Sequence, residues 1–112
     1  MAKTPLVALP CRLSRGMFSS ERAFEVKLAN GETYAGGSPR HYCWNESGFP
    51  LEADGATDQE INGLIAARIV DDDLEAGQVA VEVPDGEVLA VLREHLRPRP
   101  TSLQPSPAAS LV

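Results

Sequence analysis

The sequence predicts an all-β protein, a small barrel-like domain of about five to six short antiparallel strands. Two observations carry this prediction. The stretch from Gln78 to Leu96 has two apolar runs around Pro84-Asp85-Gly86, and the stretch from Arg22 to Gly36 alternates around Asn30-Gly31. Turn-forming residues recur at short intervals between these runs, as is typical of small barrels and sandwiches.

The Pro84-Asp85-Gly86 turn predicts the register of the hairpin around it. Proline suits the first central position of a type I turn, and glycine supplies the left-handed conformation that closes a three-residue loop. This loop places Val81 opposite Leu89 and Val79 opposite Val91, so that one apolar face forms. A two-residue turn at Asp85-Gly86 would move the second strand to its other face. We favour the three-residue loop because it leaves Pro84 outside the ladder, where its missing N–H costs nothing.

The second hairpin is predicted from period-2 alternation. Apolar and charged residues alternate from Phe24 to Leu28, and Asn30-Gly31 is a strong signal for a two-residue turn. The return strand begins at Thr33. Gly36 to Pro39 is expected to interrupt it as a bend or bulge.

Two further segments complete the predicted sheet. Leu6 to Ser14 is apolar and extended, and Pro10 within it indicates an edge strand or a bulge. Ile61 to Val70 fits both helical spacing and a β-branched strand. We favour a strand that pairs with Gln78–Val83, preceded by a possible short helical turn around residues 57–62.

The end of the chain is predicted to leave the domain. Residues 93–96 are expected to form a short terminal turn, and a Pro- and Ser-rich flexible tail follows over residues 98–112. Residues 1–97 then form a single domain. The predicted core consists of Val26, Leu28, Ile65, Ile69, Val79, Val81, Leu89, Val91 and Leu96.

One resemblance supports the barrel. The run GLIAARIVDDDLEAGQVAVEVPDGEVLAVLREHLRP, residues 63–98, resembles the strand run of an SH3-like barrel. The resemblance covers about a third of the chain and implies an architecture without a function, because one fold hosts many functions.

Composition limits the function classes. The 112 residues carry a net charge of −6, which disfavours non-specific binding to nucleic acid. No apolar run is long enough to cross a bilayer, and the first ten residues lack the pattern of a signal peptide, so a cytoplasmic protein is expected. Cys11 and Cys43 are compatible with free thiols, although a disulfide between them stays open.

Neither catalysis nor a cofactor is predicted. Cys11, His41, Cys43 and His95 supply the atom types of a zinc site or a thiol nucleophile. Only His41 and Cys43 are close in sequence, and in an extended segment they would share one face. Zinc sites usually show paired ligands, and a catalytic thiol needs a base held by a third group. A metal site and a thiol enzyme are therefore minor alternatives.

The best candidate for a binding site is a group of aromatic residues in the middle of the chain. Aromatic side chains anchor protein interfaces. The predicted contacts are Tyr42, Trp44 and Phe49, with Arg40 and His41 at a polar rim. The alternative is that Trp44 fills the core.

The predicted function is a non-catalytic module that binds a protein partner. The competing class is a nucleic-acid-associated barrel that uses the terminal arginines, with Arg93 and Arg97 as the sensitive positions. The oligomeric state is left open by the sequence.

Overall fold

The computed structural model describes residues 6–16, 18, 20–51 and 60–100, and these form an all-β domain as predicted. Eight antiparallel strands make up one sheet, more than the five to six expected, because two very short strands pair with the longest ones. The strands are β1 Leu6–Arg15, β2 Glu21–Lys27, β3 Thr33–Pro39, β4 Cys43–Asn45, β5 Ile61–Asp71, β6 Gln78–Glu82, β7 Val88–Leu92 and β8 Arg97–Pro98.

The sheet curls into a half-barrel with the order β3-β2-β1-β5-β6-β7. The long strands β1 and β5 form its centre and pair with each other from Leu6↔Arg68 to Leu13↔Ile61. The opposite edge of β1 holds both β2 and β8, and that of β5 holds both β4 and β6. Helical structure in the described residues is restricted to the single 3₁₀ turns Arg40–Tyr42 and Arg93–His95, neither of which could span a membrane.

The position of Pro10 corrects the prediction for the first strand. β1 lies in the middle of the sheet and is not an edge strand. Pro10 pairs with Leu64 on β5, and on its other side it falls between β8 at Val7–Ala8 and β2 at Arg12–Arg15. No described strand adjoins β1 in this gap, so Pro10, which has no backbone N–H, pairs on one side only.

The hairpin of β6 and β7 has the predicted register. Val79 pairs with Val91 and Val81 with Leu89. The N–H of Val83 donates to the carbonyl of Glu87 at 3.0 Å. Gly86 has a φ of 94°, so it supplies the left-handed conformation that the three-residue loop needs.

The hairpin of β2 and β3 is confirmed, but its two-residue turn is wrong. Val26 pairs with Tyr34, and the N–H of Leu28 donates to the carbonyl of Glu32 at 2.7 Å, which leaves a three-residue loop. Gly31 still takes the left-handed position, with a φ of 91°. Placing Ala29 in the loop frees its N–H to donate to the carbonyl of Ala90 at 2.9 Å, so the loop is attached to β7.

The predicted interruption at Gly36–Pro39 is also wrong, because β3 runs unbroken to Pro39. Gly36 pairs with Phe24, and a Cβ at this position would lie 2.9 Å from Phe24 Cζ and overlap Asp85 Oδ2. Because Gly36 has no side chain, the ring of Phe24 and the carboxylate of Asp85 can lie close to its backbone, and the strand continues through it.

Residues 61–71 settle the ambiguous segment as a strand. β5 pairs with β6 as expected, with a bulge between Ile69 and Asp71. Ile61 and Asn62 of the possible helical turn belong to β5, and Glu60 has no helical conformation. Residues 57–59 of that turn lie outside the described residues.

The core lies inside the curl of the sheet. Six of the predicted core residues are buried, and Leu28, Ile69 and Leu96 are partly buried against them. The sequence prediction omitted several large members of this core from β1 and β2, namely Leu9, Leu13 and Phe24.

The terminal turn forms at Arg93–His95 as predicted, and the chain then returns to the sheet. Pro98 lies in β8, where Val7↔Pro98 and Ala8↔Arg97 are paired. Pro98 and Arg99 of the predicted tail are thus attached to β1. Residues 101–112 lie outside the described residues.

Candidate functional site

Trp44 packs on the outer face of the sheet. In β4, Cys43 pairs with Ile65 on the core side, and Trp44 pairs with Leu64 on the opposite side. Only 8% of Trp44 is exposed, and it forms a second buried cluster with Ala8 and Ala66. The alanines leave room for the indole, so Trp44 fills an outer core and lies beneath the surface predicted to bind.

Phe49 is presented to solvent by a short hydrogen-bonded loop. The side-chain Oδ1 of Asn45 accepts from the backbone N–H groups of Ser47 at 2.9 Å and of Phe49 at 3.0 Å. The carbonyl of Phe49 accepts from the N–H of Asn45 at 2.8 Å. The loop therefore holds the backbone of Phe49, whose side chain is 60% exposed.

Arg40, His41 and Tyr42 form a 3₁₀ turn instead of an extended segment. Because of this turn, His41 and Cys43 do not share a strand face: His41 is exposed and Cys43 is buried. The ring of His41 lies 4.4 Å from that of Tyr42, centroid to centroid, and Tyr42 is 40% exposed. Arg40 is half-buried and donates to the carbonyl of Leu51 at 2.9 Å. This bond links the 3₁₀ turn to the segment that follows Phe49.

The segment after the terminal turn also contributes to this face, which the sequence prediction missed. Arg99 donates to the carbonyls of Val7 at 3.3 Å and Ala67 at 2.8 Å. Its desolvation lowers the pKa of the guanidinium. Pro100 lies beside Gly48, since a Cβ on this glycine would be 3.6 Å from it. The only feature of the sequence that indicated a strand here was the extended conformation that Pro98 and Pro100 impose on the residues before them.

An open groove of about 1010 Å³ adjoins these residues. Phe49 and its loop form one wall, Arg97–Pro100 another, and the turn end of the β2–β3 hairpin a third, with Pro10 among the lining residues. The charged residues that line it carry both signs and are Arg12, Glu25, Lys27, Glu46, Arg97 and Arg99. An exposed aromatic ring beside mixed charges is suited to a polypeptide surface.

The two thiols lie on the core side of the sheet, on opposite sides of β5. Cys11 pairs with Gly63 across one edge and Cys43 with Ile65 across the other. Two strand spacings separate their α-carbons by roughly 10 Å, beyond the reach of a disulfide. Burial raises the pKa of both thiols, that of Cys43 to about 11, so both are protonated at neutral pH.

Within the described ranges, no three His, Cys, Asp or Glu side chains come together as a metal site would require. His95 belongs to the terminal 3₁₀ turn, and His41 belongs to the turn after β3. Comparison of the chain with protein-family models, with curated proteins and with solved structures finds no match.

Proposed function

We propose that this chain is a non-catalytic, cytoplasmic interaction module that binds a protein partner through Tyr42 and Phe49 on its outer face. The observation that carries the proposal is the display of Phe49, a 60% exposed ring on a loop whose backbone is hydrogen-bonded to Asn45. An aromatic ring buries a large apolar area on binding and has only two side-chain torsions to immobilise. Tyr42 adds a second exposed ring with a polar tip.

Arg93 and Arg97, the arginines on which the competing nucleic-acid function depends, already form hydrogen bonds within the chain. Arg93 donates to the carbonyl of Asp72 at 2.9 Å and lies 3.9 Å from its carboxylate. Arg97 donates to the carbonyls of Glu94 and Leu96, both at 3.1 Å. Binding phosphates would compete with these bonds, and the net charge of −6 opposes a polyanion.

Catalysis by the thiols has little support because Cys11 and Cys43 are buried and protonated. A nucleophilic cysteine is a thiolate within reach of solvent and of a base. His41 is exposed on the turn that precedes Cys43. The proposed module therefore acts by binding.

The experiment is an affinity capture from the native cell with Phe49→Ala, analysed for protein and for nucleic acid. Phe18→Ala is the matched control, since Phe18 is 61% exposed and Phe49 is 60% exposed. Phe49→Ala is expected to weaken capture of a stoichiometric protein roughly 30-fold, the equivalent of about 2 kcal/mol at a hot spot. Phe18→Ala should retain it, and both variants should melt like the unmodified chain.

Trp44→Ala is unsuitable for this purpose, because it opens the buried cluster with Ala8 and Ala66. Capture that is unchanged in both Phe49→Ala and Tyr42→Ala would refute the proposed surface. Recovery of nucleic acid alone, with a steep salt dependence and sensitivity to Arg93 and Arg97, would favour the competing function.

A further inference from the structure

β3 is an open edge of the sheet. Its seven residues pair with β2 on one side, and no described strand pairs with its other side. A strand in this position presents a row of unpaired N–H and C=O groups. Its first half lies near the β6–β7 turn, where the Tyr34 hydroxyl donates to Asp85 at 2.5 Å, and the edge continues beyond this contact to Pro39.

Within the part of the chain that the structure describes, most of β3 lacks the usual protection of an edge strand. Natural sheets guard their edges with lysines, bulges, prolines or a covering segment. Thr33 to Pro39 contains no charged residue, pairs with β2 without a register shift, and has its one proline at the last position. Such an edge can accept another strand through main-chain hydrogen bonds.

The charges around β3 indicate the chemistry of that strand. Glu32 precedes β3, and Glu21 and Glu25 on β2 pair with its residues Pro39 and Ala35. Asp85 and Glu87, on the other hairpin, are close enough to influence Tyr34. The cations near β3 are Lys27, opposite Thr33, Arg22, opposite Ser38, and Arg40, which follows the strand, so these three are outnumbered by the five carboxylates. A second copy of the chain would place these carboxylates against their own kind, whereas a basic segment would be attracted.

The outer face of β3 leaves room for long side chains. Ala35 and Gly37 point outward, and a Cβ on Gly37 would meet nothing within 4 Å. An added strand could therefore lay a lysine or arginine across Ala35 toward Glu25. The other neighbour of Glu25 is Arg12, whose guanidinium is bound by Glu60 at 2.5 Å.

We propose that β3 accepts an extended, basic segment of a protein partner as an additional strand of the sheet, with lysine or arginine at alternate positions above Ala35 and Gly37. The proposal stands on the free backbone edge of β3 and on Glu25. Glu25 and Thr33 also line the groove beside Phe49, and Tyr42 lies three residues beyond the end of β3.

The test uses two peptide probes and the full chain. Acetyl-(Lys-Thr)5-amide and acetyl-(Glu-Thr)5-amide have the same length and the same β-forming residue but opposite charge. Amide hydrogen exchange and NMR shifts should show protection of β3 amides by the lysine peptide, at least tenfold over the glutamate peptide. Binding should weaken as salt is raised.

A matched pair of variants separates the edge from the general field of the protein. Ala35→Lys adds a cation beside the edge, and Val88→Lys adds the same charge on β7, at a residue that is 55% exposed. Ala35→Lys is expected to weaken the lysine peptide at least tenfold, and Val88→Lys less than threefold. Because Phe49 shares a groove with Glu25 and Thr33, the two sites are distinguished by which amides the peptide protects: those of β3 for the edge, and those of residues 45–49 for the outer-face surface.

Three outcomes would overturn the proposal. In the first, the lysine peptide protects no amide of β3. In the second, Ala35→Lys and Val88→Lys weaken binding of the lysine peptide equally, so that only long-range attraction would explain the binding. In the third outcome, the β3 amides are protected from exchange without any peptide, the protection increases with protein concentration, and a dimer forms. The edge would then be occupied by a second copy of the chain.

Discussion

Gly63 offers the sharpest test of the packing around β5. It is buried between β1 and β4, opposite Cys11 on one side and Asn45 on the other. A Cβ at this position would lie 2.5 Å from Leu13 Cδ1 and 2.5 Å from the carbonyl oxygen of Trp44. Leu13 is fully buried and the oxygen belongs to the backbone of β4, so neither can move without disturbing the sheet.

We expect Gly63→Ala to lower the free energy of unfolding by roughly 1–2 kcal/mol. Overpacking a core costs about 1–3 kcal/mol, and replacing glycine with alanine returns about 0.4–1 kcal/mol by restricting the unfolded chain. Gly37→Ala is the matched control, because it lies in a strand with no atom within 4 Å of the added carbon. It should be neutral or stabilising by about 0.4–1 kcal/mol.

Urea denaturation followed by fluorescence of Trp44, the single tryptophan, measures both variants. The midpoint of Gly63→Ala should fall with an unchanged slope, while that of Gly37→Ala should stay or rise. Equal midpoints for the two variants would refute the described contact of β5 with Leu13 and β4.

Two further predictions concern ionisation. Tyr34→Phe removes the hydroxyl that donates to Asp85 and should cost about 0.5–1.5 kcal/mol at neutral pH. The bond to Asp85 raises the pKa of Tyr34 to about 12, so its contribution is complete below the unfolded pKa of about 10 and is lost as pH rises through the folded value. Denaturation curves of the two proteins should therefore converge between pH 10 and pH 12, and a constant difference would contradict the assignment. Cys11 and Cys43 should react with iodoacetamide only as fast as the fold opens, faster in urea, and rapid labelling of the native protein would be inconsistent with their burial.

Local signals in the sequence predicted the strands better than the details of their turns. Pro84-Asp85-Gly86 determined both a turn and a register, because proline and glycine each have one suitable position in that loop. Asn30-Gly31 located its turn but not the loop length. Gly31 is left-handed in either loop, and the choice between them involves the bond from Ala29 to Ala90, which is distant in sequence.

The same limit explains the errors around the candidate site. Gly36 resembles a strand breaker, and only the approach of Phe24 and Asp85 reveals that it belongs inside β3. Trp44 could be placed on either face until the alanines of β1 and β5 were brought beside it. The exposure of Phe49 likewise depends on a loop closed by Asn45: Asn45 and Ser47-Gly48 indicate a turn, but they do not show which way the next side chain points.

The pairing of β1 with β5 has a consequence for the speed of folding. Both hairpins close within a few residues, and such local contacts form in microseconds. The central ladder instead joins the first described strand to one that begins at Ile61, so the whole β2–β4 region must be synthesised and looped out before it can form. Contacts of this separation slow folding, because the entropy of loop closure is lost before the ladder compensates for it. The two hairpins therefore form before the β1–β5 pair that joins them. During that interval β3 and β7, which carry no charged residues, have exposed edges at which other chains can associate.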